Sequence, residues 1–302
     1  MSLTGSFVLI ALFSRVKQIA TDGLQATVDR SGSHDMNSSR AYVPLPPALQ
    51  PVRLIRRRNR FVVEARWDME AQAVSMRAAW ASGNGYDSSK EVRPWETRDI
   101  LPLHLPNSGR MTELLQPGTL GLAHMDGTGS RGTVGTLLLV QYEGRWVSVD
   151  ARMPNRLFAR CLELGALPPF RSYTTWKAEV LWGHSRVDFL LSASSSKPKF
   201  LVETKSCNLV VQRLALFPDA PTARGARHLR ELAEAVALGY RAAVVWFVQR
   251  DDADSLAAHA EADPEFARAL DEARDRGVEA YAYRCLVEPS GITVLDEVPV
   301  EG

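Results

Sequence analysis

Read for the spacing of its apolar positions, the chain changes character at about Pro154. Upstream, Pro44-Leu45-Pro46-Pro47 punctuates the sequence and a strand-like segment, Val52 to Glu64, follows. Further short strand candidates lie at Ile100 to Leu105, Leu137 to Tyr142 and Arg145 to Asp150, separated by Gly-rich turns such as Asp126-Gly127-Thr128-Gly129. Short strands with frequent glycine turns predict a small β-barrel. Residues 68 to about 98, with Ser82-Gly83-Asn84-Gly85, read as a loop-rich insertion in it.

Downstream, Asn155 to Leu164 reads as a helix closed by Gly165. Three strand-like runs come next, Trp176 to Leu181, Ser185 to Leu191 and Leu201 to Ser206. Thr222 can cap a helix to about Leu238, with Leu229, Leu232, Ala233 and Val236 as its apolar stripe and Gly239 as its stop. Ala242 to Val248 is apolar throughout, as a strand buried on both faces would be. A last helix, about Pro264 to Arg276, ends at Gly277 and leads into Val278 to Tyr283. The expected architecture is α/β, in three parts. Residues 1–43 form a weakly ordered extension, 44–151 a barrel with an insertion, and 152–302 an α/β domain.

The turn segment Ser194-Ser195-Ser196-Lys197-Pro198 separates two of these runs, and Asp188 and Glu203 are symmetric about its centre. If the chain folds back there, the two carboxylates become cross-strand neighbours with side chains about 5 Å apart. Lys205 shares the face of Glu203, because strand side chains alternate with period two. The same construction about Gly183-His184 sets Glu179 against Asp188, which predicts three carboxylates in a row. Like charges opposed across a sheet are destabilising, so such a row persists mainly around a hard cation. Mg²⁺, or Mn²⁺ in its place, is the natural guest, since it binds through one or two carboxylates plus water and phosphate oxygens. Lys205 beside it could orient the attacking water and offset phosphate charge. The bland alternative is an ordinary Asp188–Lys205 ion pair with Glu179 in solvent.

Composition narrows the field only a little. A chain of 302 residues with 45% hydrophobic content is long enough for about two domains without covalent staples. Cys161, Cys207 and Cys285 are widely spaced and form neither a zinc-like cluster nor a disulfide framework, which points to a reducing compartment. The apolar run Phe7 to Phe13 is too short to span a bilayer and lacks the basic flank of a signal peptide. A cytoplasmic location without membrane contact is expected, the alternative being an organelle if residues 1–43 are a transit peptide.

Net charge is only +1, so any nucleic-acid footprint must be local. Arg53, Arg56, Arg57, Arg58 and Arg60 crowd one strand-like segment, either as a solvated face or as a groove that tracks phosphates. Arg224 and His228 are spaced i, i+4 at the start of the capped helix, with Arg227 beside them, where a positive helix end suits phosphate. Asn107, Ser108, Gly109 and Arg110 form a turn whose polar groups could grip a strand end. Trp176, Trp182 and Trp246 could stack bases, although in apolar strands core packing is the commoner use.

Several longer stretches resemble one known family. They are His104-Leu105-Pro106-Asn107-Ser108-Gly109-Arg110-Met111-Thr112-Glu113, Pro154-Asn155-Arg156-Leu157, Ser185-Arg186-Val187-Asp188-Phe189, Glu203-Thr204-Lys205-Ser206 and Phe217-Pro218-Asp219-Ala220-Pro221-Thr222 continuing to Leu232. Their pattern is similar to the sugar fermentation stimulation proteins, over roughly residues 52 to 300 apart from the insertion. The resemblance implies an N-terminal OB-like barrel and a C-terminal domain of the PD-(D/E)XK nuclease type, with Asp188 and Glu203 as the acidic pair and Lys205 as the lysine. It also implies a DNA-binding protein linked to sugar, especially maltose, utilisation, on single- or double-stranded DNA, with a homodimer left open. The chain departs from the family where it has Gly132, Arg160 and Arg227. The family usually has Glu at the second of these, which leaves Glu179 as the substitute ligand. Two functions compete: a Mg²⁺-dependent nuclease and a non-catalytic DNA-binding regulator. A sugar- or protein-binding barrel is a third class.

Overall fold

The computed structural model of the chain describes residues 26–27, 40–70, 98–127, 132–194 and 196–302. Most of the expected insertion over residues 68–98, and most of the extension over residues 1–43, lie outside the described residues. Two short strands precede the barrel, β1 (Ala26–Thr27) and β2 (Tyr42–Pro44), and both pair with the C-terminal sheet. A boundary at residues 43/44 therefore cuts through an edge strand. Ala41, Val43 and Leu45 are buried against the C-terminal core, and their burial ties this segment down.

The barrel is built from β3 (Gln50–Asn59), β4 (Val62–Trp67), β5 (Leu101–His104), β6 (Leu120–His124) and β7 (Gly135–Tyr142). They are hydrogen-bonded in the order β5-β4-β3-β6-β7, and a parallel β5–β7 pairing closes the ring. β8 (Arg145–Ser148) continues from β7. Val52, Leu54, Val63, Ala65, Leu101, Leu103 and Leu137 fill the interior. The segment Val52 to Glu64 is thus a hairpin turning at Arg60-Phe61, where one strand was expected.

The C-terminal domain opens with α1 (Met153–Leu164), which ends in a left-handed Gly165. β9 (Thr175–Trp182), β10 (Ser185–Ser192) and β11 (Phe200–Cys207) follow as an antiparallel meander. After β12 (Val210–Val211) and β13 (Leu214–Phe217), the chain enters α2 (Ala223–Ala237), whose N-cap Thr222 accepts the Gly225 amide at 3.0 Å. β14 (Arg241–Val248) pairs parallel to β11, as a helical crossover permits. β15 (Ser255–Ala258), α3 (Pro264–Asp275), β16 (Glu279–Glu288) and β17 (Gly291–Val298) complete the chain. The eight-stranded sheet runs β1-β9-β10-β11-β14-β16-β17-β2.

Apolar residues cover both faces of this sheet. Leu157, Phe158 and Cys161 of α1 pack on Phe189, Phe200, Val202 and Phe247. On the opposite face Leu229 and Leu232 of α2 and Phe266 and Leu270 of α3 pack on Leu201, Val244 and Trp246. β14 is buried from Ala242 to Val248, which explains its unbroken apolar run. Trp176 and Trp246 are buried core residues, and Trp182 packs edge-on to Tyr240. Among the described residues no helix is long and apolar enough to cross a membrane.

Candidate active site in the cleft between the domains

The β10–β11 ladder pairs Leu191 with Phe200, Leu190 with Leu201 and Phe189 with Val202. One more step of that register would set Asp188 against Glu203, the pairing that the symmetry of the turn predicts, but the paired ladder ends at Phe189–Val202 and Asp188 turns to the Thr204 amide. The β9–β10 ladder is interrupted within its length. It pairs Phe189 with Ala178 and Val187 with Val180, and the intervening Asp188–Glu179 step is missing. Glu179 has a positive φ of 56°. Val187 and Phe189 consequently bury on opposite faces, one under α2 and the other under α1, although strand alternation would place them together. Glu179 turns out into solvent, 59% exposed, with Arg186 at 3.6 Å. The expected row of three carboxylates is a pair.

Each member of the pair has its own environment. Asp188 Oδ2 accepts the Thr204 amide at 2.8 Å, and the Thr204 hydroxyl lies 2.8 Å from it and 2.9 Å from Asn155 Oδ1. That hydroxyl has one proton, and the carboxylate is the stronger acceptor, so the Asn155 amide meets the Thr204 oxygen best through its NH₂ group. Burial and the neighbouring Glu203 charge push the Asp188 pKa above its ordinary value, against the opposing pull of Thr204 and Lys205.

Glu203 is only 4% exposed. Its Oε1 receives Lys205 Nζ at 2.6 Å and also contacts His228 Nδ1 from α2. Arg224 Nε donates to His228 Nε2 at 3.2 Å. An arginine N–H can only donate, so Nε2 is the accepting nitrogen and Nδ1 carries the proton that reaches Glu203. Burial alone would raise the Glu203 pKa, but Lys205 and His228 outweigh it and hold it at about 2. Glu203 Oε2 is buried and has no partner. The ordinary ion pair considered from sequence does exist, but Lys205 makes it with Glu203 and not with Asp188.

These residues line a cleft of about 530 Å³ with walls from both domains. Arg60, Asn107, Ser108 and Gly109 come from the barrel, and Asn155, Asp188, Glu203, Lys205, Asp219 and Arg224 from the sheet domain. The barrel wall is tightly held. Asn107 Oδ1 accepts the Gly109 amide at 2.8 Å, and Arg57 Nη1 donates to the Gly109 and Arg110 carbonyls at 2.6 Å each. Asp219 Oδ2 accepts the Met111 amide at 2.9 Å across the domain boundary. A Cβ on Gly109 would sit 2.6 Å from that same oxygen, so close approach is what requires glycine there.

The arginine segment does not form the continuous phosphate tract that its sequence suggests. The hairpin fold-back brings acidic residues onto it: Arg56 pairs with Glu64 at 2.7 Å, Arg58 lies 3.8 Å from Glu64, and Arg53 pairs with Asp68 at 2.6 Å. Arg57 is spent on loop carbonyls, and Arg60 alone of the five lines the cleft. Arg110 is exposed on the loop. Arg227 lies within 3.4 Å of Ser185, and His228 is 3% exposed and committed to Glu203 instead of facing a phosphate. Asn155, Thr204 and Asp219 were not singled out from sequence, although each lies within a stretch that carries the family resemblance. Among the described residues, no three His, Cys, Asp or Glu side chains converge as a metal cluster.

Two family models match the chain: the sugar fermentation stimulation protein RE domain over residues 152–291 and the SfsA N-terminal OB domain over residues 55–149. The sugar fermentation stimulation protein homolog of Moorella thermoacetica is 48% identical over 198 residues, covering 65% of this chain and 85% of that one. The homolog of Symbiobacterium thermophilum is 44% identical over 223 residues, covering 69% and 88%. Among solved structures, Pyrococcus furiosus SfsA in complex with Ca²⁺ superposes with a TM-score of 0.71 at 27% identity, covering 87% of this chain and 100% of that one.

Proposed function

This chain belongs to the sugar fermentation stimulation protein family, and we propose that it is a Mg²⁺- or Mn²⁺-dependent DNA phosphodiesterase of the PD-(D/E)XK type. The observation that carries the reading is Glu203: a deeply buried carboxylate in the same cleft as Asp188, with one oxygen lacking any partner. A buried, unsatisfied, ionised oxygen is costly unless a cation completes it. The donor set fits a hard divalent ion, two carboxylates facing a cleft with room for water and phosphate oxygens. The Ca²⁺ in the Pyrococcus furiosus relative is of that chemical class.

Asp188 and Glu203 would hold the ion, which when bound supplies Lewis-acid polarisation of a phosphoryl oxygen and a more acidic water. The chain's own groups do the rest. Thr204 and Asn155 fix the Asp188 carboxylate. His228, held by Arg224, fixes Glu203 from the helix side. Lys205 Nζ is the positive group at the cleft floor suited to orient water and to offset charge on the phosphate.

Labelled single- and double-stranded DNA incubated with wild type, Asp188→Ala and Lys205→Ala in Mg²⁺ or Mn²⁺ tests this. Cleavage by wild type is expected, with a loss of about 10²–10³-fold in either variant. No cleavage of any substrate, or equal cleavage by the variants, overturns it. The second reading, a non-catalytic DNA-binding regulator of sugar utilisation, has one observation in its favour: without a metal, Lys205 already offsets the Glu203 charge and neutral His228 already donates a hydrogen bond to the same oxygen. DNA binding that survives both substitutions, with no cleavage, supports that alternative.

A further inference from the structure

Phe61 is an exposed aromatic, 44% accessible, in the turn that joins the first two barrel strands. Its neighbour Arg60 lines the cleft and holds its guanidinium 5.8 Å from the Phe61 ring centre. Arg60 Nε also reaches the Ser108 carbonyl at 3.3 Å, which ties this turn to the other barrel loop of the cleft wall. OB-type barrels use their first interstrand loop to meet oligonucleotides, and an aromatic face beside an arginine is the usual platform for an unpaired base. The carboxylates, in contrast, lie deep. Glu203 is 4% exposed, Lys205 retains 15% side-chain exposure, and the cleft above them measures about 530 Å³. That volume falls in the range of small-ligand sites, roughly 300–1,000 Å³, and suits a nucleotide or two. A duplex carries its phosphates on its outside but is too wide to enter such a cleft, whereas a single strand can thread its backbone to the floor. The barrel wall offers little room to withdraw, because Arg57 clamps its loop and Gly109 sits against Asp219.

Resting on the phosphodiesterase reading, we infer that the cleft takes a single DNA strand, with a base stacked on Phe61 and the following phosphate drawn past Arg60 toward Lys205. The platform gives a use to an aromatic ring left in solvent beside the cleft.

Anisotropy titrations of the full chain in EDTA test it without any cleavage. The probes are a fluorescent oligothymidylate of about twelve nucleotides and a blunt duplex of about twenty base pairs, lengths chosen around a site of ~4–16 nucleotides per OB fold. The single strand should bind at least about tenfold tighter than the duplex. Phe61→Ala should lose about tenfold on the single strand and leave duplex affinity and the melting temperature unchanged, and Phe61→Trp should restore binding. Equal or tighter duplex binding, or unchanged affinity in Phe61→Ala, overturns the inference. The two readings fail separately. Mg²⁺-dependent cleavage of blunt duplex at the single-strand rate removes the strand preference and keeps the phosphodiesterase. Phe61-dependent single-strand binding with no cleavage keeps the strand preference and removes the phosphodiesterase.

Discussion

At Glu203 one oxygen is claimed twice and the other not at all. Asp188, beside it, has its pKa raised by burial and by the Glu203 charge, so its ionised form destabilises the metal-free fold as pH rises through that raised value. Asp188→Asn removes that charge while its amide oxygen still accepts the Thr204 amide. Metal-free thermal stability at neutral pH should hold or rise, and the stabilisation given by Mg²⁺ should shrink. A metal-independent loss of stability would mean that Asp188 is a structural residue only. At Gly109 the forecast is steric: Gly109→Ala drives a methyl into the Asp219 carboxylate and should cost about 1–3 kcal/mol in denaturant unfolding. Residue-level sequence reading brought Asp188, Glu203 and Lys205 together, as they lie in the cleft, because register about a turn is simple arithmetic. It misplaced Glu179 because nothing in Lys177-Ala178-Glu179-Val180 marks a positive φ within a strand.

The elements most legible in the sequence are those with explicit ends. Gly165 stops α1, Thr222 and Gly239 bound α2, and Gly277 follows α3, so all three helices lie within about two residues of their expected spans. β2, β6, β12, β13, β15 and β17 escaped notice. Most are short, and the pairing of β2 with β17 joins segments some 250 residues apart in sequence, which no local pattern encodes. Reading Val52 to Glu64 as one strand likewise hid the hairpin at Arg60 and made the paired arginines look like a phosphate track. One prediction belongs to the helix ends. Asp263, buried at 6% exposure, caps α3 through the Phe266 amide at 3.0 Å and also accepts the Thr222 amide at 2.6 Å at the start of α2. Asp263→Ala therefore strands two donors and should cost about 2–3 kcal/mol by urea unfolding. Asp254→Ala, which breaks an exposed pair with Arg213, should cost under about 1 kcal/mol.

For the whole molecule, the cleft depends on how the barrel seats against the sheet domain. Part of that seat is ionic. Arg250 is 2% exposed, is held bidentate by Asp252 at 2.7 Å, and lies over the Tyr142 ring of the barrel at 5.2 Å. Arg145 of β8 approaches Asp251 and Asp252 at 3.5 Å. Burial would raise the Asp252 pKa, but Arg250 outweighs it and the value is depressed. Its stabilisation is therefore present above the ordinary carboxyl pKa of 3.8 and is lost as pH falls through the lower folded value. Asp252→Ala should cost about 3 kcal/mol at pH 7 by leaving a buried guanidinium unpaired, and the deficit relative to wild type should narrow in strong acid. The proposed divalent ion is tested by the anomalous scattering of Mn²⁺ soaked into crystals of the chain. One strong peak is expected between Asp188 and the unpartnered oxygen of Glu203, with Glu179 remote from it. Saturating Mn²⁺ that leaves this position empty, with Glu203 held only by Lys205 and His228, would contradict the proposal.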